Sequence, residues 1–133
     1  LVGFTNSRAG ETTWIDVEGF GDQRVLERVG SILGIHPLAM ADVVHVPQRP
    51  KAELHDDHLL VVTHMANLDA EGRIVIEQVA LVLGPGWVVT FQCEPGDVFD
   101  PVRERIRTAG SRIRREGADY LLYALVDAPH ERI

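Results

Sequence analysis

The chain is short of cysteine and of long apolar runs. Its one cysteine among 133 residues, Cys93, lies in the apolar stretch WVVTFQC. A single thiol cannot form a disulfide within the chain, and such surroundings are typical of a buried, inert side chain in a reducing compartment. No stretch approaches the ~18 consecutive apolar residues that cross a bilayer, and no secretory leader opens the sequence. We therefore expect these residues to form a soluble protein.

Positive charge is also scarce. Lys and Arg total 13 against 20 Asp and Glu, which gives a formal net charge of −7 with neutral His. This balance opposes nucleic-acid binding and favours cations as partners. The stretch from Arg103 to Glu116 holds six arginines but no aromatic residue. We therefore expect a solvated helix face whose arginines pair with acids elsewhere, and no nucleic-acid partner.

The motifs of common enzyme sites are missing as well. The sequence contains no phosphate-binding P-loop, no GxGxxG, no GxSxG elbow and no HExxH arrangement. Nothing in it indicates catalysis, and we expect a protein that is not an enzyme.

What the chain does contain is a regular succession of strand and helix patterns. With 45% hydrophobic residues, its length fits one domain, residues 1–133. The strand pattern TTWIDV precedes a helix between Asp22 and Gly34, and His36-Pro37 opens a short second helix. Four further strand patterns joined by short turns predict an antiparallel meander: AELH, HLLVVTHMANL, IVIEQVALVL and WVVTFQC. The last two are almost wholly apolar, so we expect an α/β fold with a mixed, largely antiparallel sheet flanked by helices on both faces, in three layers α/β/α.

The most specific stretch is GDVFDPVRERIR, residues 96–107. It predicts a helix that Asp97 or Asp100 caps, with Pro101 in the first turn, where its missing N–H costs nothing. An apolar stripe recurs at helical spacing through Val98, Val102, Ile106 and Ala109. A short helical piece, SRIRRE, and a last helix beginning near Ala118 follow.

Three blocks, HPLAMADVVHVPQRPK, GDVFDPVRERIR and ADYLLYALVDA, together resemble the cytoplasmic domain of the CorA magnesium transporter family. The resemblance runs from about Trp14 to Ala128. It implies regulated passage of Mg²⁺ through a homopentamer whose funnel, on the cytoplasmic side of the inner membrane, senses the same ion. Family members also carry a long stalk helix, two membrane helices and a Gly-Met-Asn sequence. None of these is present in the 133 residues, so we expect the soluble domain of a longer protein that reaches the membrane only through later helices.

The resemblance also implies sites for regulatory ions between neighbouring protomers. Asp42, in the short helix after His36-Pro37, and Asp127, in the final helix, occupy aspartate positions of the family and are candidate ligands of Mg²⁺, with Co²⁺ as an alternative ion. The residue before Asp42 is Ala41, where the best-known relatives have another acid, which puts the second intersubunit ion position in doubt. A further ligand would come from the stalk.

Two other functions remain open at this point. The chain could be the soluble domain of a ZntB-like zinc transporter, which has the same fold but different acidic positions. It could also be a small metal-dependent enzyme that uses the cluster from His55 to His58, although neighbouring residues of a turn seldom converge on one ion. For the isolated chain we expect a monomer or a weak oligomer.

Overall fold

The strand patterns form a single sheet in the computed structural model, which describes residues 2–5 as backbone only and residues 12–93, 98–108 and 116–128 in full. The strands are β1 Val2–Thr5, β2 Thr13–Glu18, β3 Lys51–His55, β4 His58–Leu68, β5 Ile74–Gly84 and β6 Trp87–Gln92. Their order across the sheet is β1-β2-β6-β5-β4-β3. Strands β3 to β6 form the predicted antiparallel meander, with residues 56 and 57 in the first turn.

One pair of strands makes the sheet mixed. Strand β2 runs parallel to β6, with Thr13 opposite Trp87 and Glu18 opposite Gln92. The remaining neighbours, including β1 and β2, are antiparallel. The helices that follow β2 pack on one face of this sheet, and the helices that follow β6 pack on the other.

Four helices are described: α1 Gln23–Leu33, α2 Pro37–Val43, α3 Asp100–Arg107 and α4 Ala118–Asp127. The caps of α1 are as predicted, since the Asp22 carboxylate accepts from the Arg24 amide and Gly34 ends the helix in the left-handed region with φ of 68°. None of the helices in the described ranges is long and apolar enough to cross a membrane.

The core has two parts, one on each face of the sheet. Helices α1 and α2 cover the first face, where the buried residues include Leu26, Val29, Ala39, Val43, Leu60, Val82 and Phe91. Helices α3 and α4 cover the second, where they include Trp14, Leu81, Phe99, Val102, Ile106, Leu121 and Leu125. The predicted three-layer α/β/α fold is confirmed, and it places α2 and α4 in opposite layers.

The sequence-based predictions differ from the structure in two details. Strand β1 was not predicted, and it adds an edge to the sheet beside β2. Helix α3 begins at Asp100 with Phe99 at the N-cap position, where no side chain caps the amides, so Asp100 is not the predicted cap. Its carboxylate instead accepts from the Arg103 guanidinium at 2.8 Å. The predictions for Asp97, Ala109 and SRIRRE up to residue 115 lie outside the described residues.

Candidate metal-binding site

Asp42 lies on helix α2, which has a defined start and packs against the sheet. The helix begins because Pro37 sets its first turn and the imidazole Nδ1 of His36 accepts from the Leu38 amide at 3.0 Å. Ala39 and Val43 are buried against the sheet. Asp42 precedes Val43, and its side chain is 27% exposed, which leaves the carboxylate accessible at the rim of this layer.

The carboxylate of Asp42 already holds a cation. The Lys51 ammonium on β3 donates to Asp42 Oδ2 at 2.7 Å and lies 3.0 Å from Glu53 Oε1. These two carboxylates raise the pKa of Lys51 above its usual value, because both accept hydrogen bonds from the charged form. The ammonium therefore stays charged and bridges the two acids.

Two glutamines fix the segment between α2 and β3. Gln48 donates through its side-chain amide to the carbonyl oxygens of Asp42 and His45. The Gln78 side chain on β5 accepts from the Gln48 amide and donates to the His45 carbonyl, both at 2.8 Å. These bonds tie the end of α2 to the sheet, so the distance between Asp42 and Lys51 is set by the fold and not by a free loop.

Asp127, the second predicted ligand, is far from this place in the fold. It ends helix α4, whose buried residues Leu121, Ala124 and Leu125 pack on the opposite face of the sheet from α2. The structure therefore does not bring Asp42 and Asp127 together within one copy of the chain. Ala41, next to Asp42, is exposed and offers no ligand atom.

The third candidate site, the stretch from His55 to His58, forms a cluster of histidine rings that contact one another. His55 and His58 pair across β3 and β4 with ring centroids 6.0 Å apart, and the His36 ring lies 5.2 Å from that of His55. The turn brings these rings close together, but the described residues do not converge on one ion, as expected for neighbouring residues of a turn. His58 Nε2 accepts from the His36 amide at 3.1 Å, and its Nδ1 lies 3.2 Å from Asp57 Oδ1.

The hydrogen bonds of this cluster oppose metal binding. Both nitrogens of His58 have partners, and His36 Nδ1 is occupied by the Leu38 amide. A zinc ligand needs an available lone pair on three or four such groups. Throughout residues 12–93, 98–108 and 116–128, no three His, Cys, Asp or Glu side chains are placed to hold one ion.

A buried ion pair that the sequence did not reveal joins helix α3 to the sheet. The Asp16 side chain on β2 is 1% exposed and accepts from the Arg103 guanidinium, from Thr90 at 2.8 Å and from Gln92 at 3.0 Å. Burial raises the pKa of Asp16, while the hydrogen bonds from Gln92 and Thr90 and the charge of Arg103 act to lower it. Arg103 also lies over the Trp14 ring, 5.4 Å from its centroid.

The other described arginines of the basic stretch are engaged within the domain. Arg105 donates to the Tyr120 hydroxyl at 3.0 Å, and Arg107 donates to Glu104 at 2.7 Å. Arg103 is more buried than the predicted solvated face, with 15% of its side chain exposed. Its pairing with the buried Asp16, 87 positions earlier in the chain, is the contact that the local sequence did not indicate.

A family model described as CorA-like Mg2+ transporter protein matches residues 9–133. The chain belongs to the CorA family. The resemblance found in its three sequence blocks is thereby confirmed, and helix α2 with Asp42 and helix α3 with Arg103 are parts of a CorA domain.

A relative of known identity agrees with this membership. The Cobalt/magnesium transport protein CorA of Thermotoga maritima is 46% identical over 117 residues, which are 87% of this chain and 33% of that protein. The chain thus spans about a third of this CorA relative's length. The relative is named as a transport protein and not as an enzyme, in agreement with the prediction that the chain is not an enzyme.

Two solved structures share the fold. The soluble domain of CorA from Methanocaldococcus jannaschii matches with a TM-score of 0.71 and 16% identity, covering 91% of this chain and 48% of that one. The ZntB cytoplasmic domain from Vibrio parahaemolyticus matches with a TM-score of 0.75 and 10% identity, covering 98% of this chain and 58% of that one. At these identities the CorA and ZntB likenesses concern the fold alone.

Proposed function

We propose that this chain is the cytoplasmic sensing and gating domain of a magnesium transporter that works as a homopentamer in the inner membrane. Membership in the CorA family and the relative named for cobalt and magnesium transport support Mg²⁺ as the transported ion. The observation that best supports the sensing role is the position of the Asp42 carboxylate. The carboxylate is accessible, fixed by the fold and already paired with a cation, the Lys51 ammonium.

The chemistry of Mg²⁺ suits a site of this kind. Mg²⁺ gives up its water reluctantly and is usually bound through one or two carboxylates. Asp42 supplies one of them, and the resemblance implies that an acid from a neighbouring protomer supplies the other. An ion held in this way links two subunits, and its loss leaves two carboxylates that repel each other. Binding at several such sites shifts a closed-to-open equilibrium through the summed differences in affinity.

Asp127 belongs to the proposal as a second ligand. It lies in the opposite layer from Asp42, so the two aspartates would serve different ion sites or different subunit contacts. Ala41 offers no acid beside Asp42, so we expect fewer protein ligands at that contact than in relatives with two consecutive acids.

The Asp42 proposal is tested in the whole transporter by Asp42→Asn. This change keeps the shape of the side chain and removes its charge. We expect conduction to persist while inhibition by internal Mg²⁺ weakens, with the half-inhibitory concentration rising about tenfold, equivalent to about 1.4 kcal/mol. Patch recordings or flux measurements with vesicles provide this value. Unchanged inhibition would remove Asp42 from the sensor.

Asp22→Asn is the matched control. Asp22 lies in the same helical layer and caps α1, and asparagine caps a helix equally well. The substitution removes the same charge without touching Asp42. We expect the half-inhibitory Mg²⁺ concentration of this variant to equal that of the wild type. A change seen only in Asp42→Asn would then come from the loss of a ligand and not from the change in net charge.

A zinc transporter of the ZntB type is the alternative that the fold leaves open. The likeness to the ZntB domain supports it only at the level of fold, whereas the 46% identical relative favours magnesium and cobalt. Flux of Mg²⁺, Co²⁺ and Zn²⁺ through the whole protein separates the two proposals. Transport of Zn²⁺ without Mg²⁺ would decide for the alternative.

A further inference from the structure

We infer that Lys51 is a built-in competitor of the divalent ion at Asp42 and sets the concentration at which that ion binds. The inference rests on the proposed role of Asp42 and concerns its regulation. It starts from the contact between Lys51 Nζ and Asp42 Oδ2, which is 2.7 Å long. The two side chains are equally exposed, at 27% each.

The position of the ammonium is the reason for competition. A Mg²⁺ ion bound directly to a carboxylate oxygen lies about 2.0–2.1 Å from it. An ion at either oxygen of Asp42 is therefore within a few ångströms of Lys51 Nζ. Like charges at this separation repel strongly when the surroundings are half buried. The ion and the ammonium cannot share the carboxylate without loss of affinity, so the ammonium has to leave.

Glu53 gives the ammonium a place to go. Its Oε1 lies 3.0 Å from Lys51 Nζ, and its side chain is 44% exposed on the same strand, β3. Lys51 can therefore release Asp42 and remain paired with Glu53 through a rotation of its own side chain. This leaves the backbone around α2, which Gln48 and Gln78 hold in place, unchanged.

The sign of a mutational effect tests this role. If Lys51 competes with the ion, Lys51→Met, which keeps most of the aliphatic chain, lowers the half-inhibitory concentration of Mg²⁺ by about tenfold in the whole transporter. If Lys51 instead only positions Asp42, the same substitution raises it. Arg49→Met is the control, because Arg49 is exposed, lies two positions before Lys51 in the chain, and its loss changes the charge equally. We expect Arg49→Met to change the half-inhibitory Mg²⁺ concentration less than Lys51→Met does. An equal change would show that Lys51 acts only through the net charge and would overturn the inference.

A second measurement tests the inference on the wild-type protein. Lys51 is the only lysine among the 133 residues, so the rate at which an amine-reactive acetyl ester modifies it can be followed by peptide mass mapping of the whole transporter. Mg²⁺ should increase this rate several-fold over NaCl of equal ionic strength, since displacement frees the amine from Asp42. In Asp42→Asn the rate should be high already and independent of Mg²⁺. Equal rates with and without Mg²⁺ in the wild type would overturn the inference.

The two proposals fail in different ways. If Asp42→Asn leaves inhibition by Mg²⁺ unchanged, the sensing role of Asp42 falls, and the role of Lys51 falls with it. If Asp42→Asn weakens inhibition but Lys51→Met does not strengthen it, the sensor stands and only the competition is wrong.

Discussion

Arg103 ties helix α3 to the sheet through an ion pair, beside the apolar packing of Val102 and Ile106. Its guanidinium meets the Asp16 carboxylate, which is 1% exposed, and removal of one partner from such a pair costs about 3–5 kcal/mol because a charge is left buried alone. We expect Arg103→Met to lower the free energy of unfolding by this amount in urea titrations at pH 7. Arg107→Gln removes an exposed pair with Glu104 and should cost no more than about 1 kcal/mol.

The pH dependence of Arg103→Met follows from the pKa of Asp16. Burial already raises this pKa, and loss of the Arg103 charge, which lowers it, should raise it further. The cost of the substitution is therefore complete above the raised pKa and shrinks as the pH falls through it, because the isolated carboxyl takes up a proton. Adding Asp16→Asn should recover part of the loss at pH 7. A double variant less stable than Arg103→Met would contradict this account.

The individual residues of the candidate site were only partly predictable. Asp42 could be named as a candidate because it stands in a block that resembles the family. Lys51 was not singled out, since its contact with Asp42 appears only when β3 lies beside α2. Asp16 and Arg103 are 87 positions apart, and no local pattern links them. Side-chain pairs of this kind depend on the register of the sheet, which a single sequence does not show.

At the scale of elements, the hairpin between β5 and β6 leaves no room for a side chain at Gly84. A Cβ atom there would lie 2.1 Å from Trp87 Cζ2, well inside contact distance. We expect Gly84→Ala to lower the free energy of unfolding by about 1–3 kcal/mol, the usual cost of overpacking. Gly21 has nothing within 4 Å and no positive φ, so Gly21→Ala should change stability by less than about 0.5 kcal/mol. Equal effects of the two in thermal unfolding would contradict the clash.

Most elements were predictable because their signals are local. Asp22 and Gly34 delimit α1, and His36-Pro37 opens α2, through bonds made within a few residues. The meander from Lys51 to Gln92 follows from apolar runs and short turns. Strand β1 and the parallel pairing of β2 with β6 were not specified in advance, because the latter joins Thr13 to Trp87 and such pairing depends on the whole fold.

At the scale of the whole molecule, two apolar clusters on opposite faces of one sheet separate the layer that carries Asp42 from the layer that carries Asp127. The sheet between them is continuous from β1 to β3. If Asp42 binds an ion at a contact between subunits, as we propose, the packed strands connect that contact to α4. This arrangement suits a domain that passes a change at one interface to helices on its other side, in keeping with the proposed gating role.

The net charge of −7 makes copies of the isolated chain repel one another. We expect sedimentation velocity to show a monomer in NaCl at about 0.15 M ionic strength, because a Debye length of about 8 Å weakens this repulsion but does not abolish it at close approach. Mg²⁺ at matched ionic strength should produce weak self-association, because an ion that bridges carboxylates offers more than screening. Asp42→Asn should reduce this response to Mg²⁺, while Asp22→Asn should leave it unchanged. A tight pentamer that forms without Mg²⁺ would show that protein contacts alone hold the subunits together, against the role proposed for the ion.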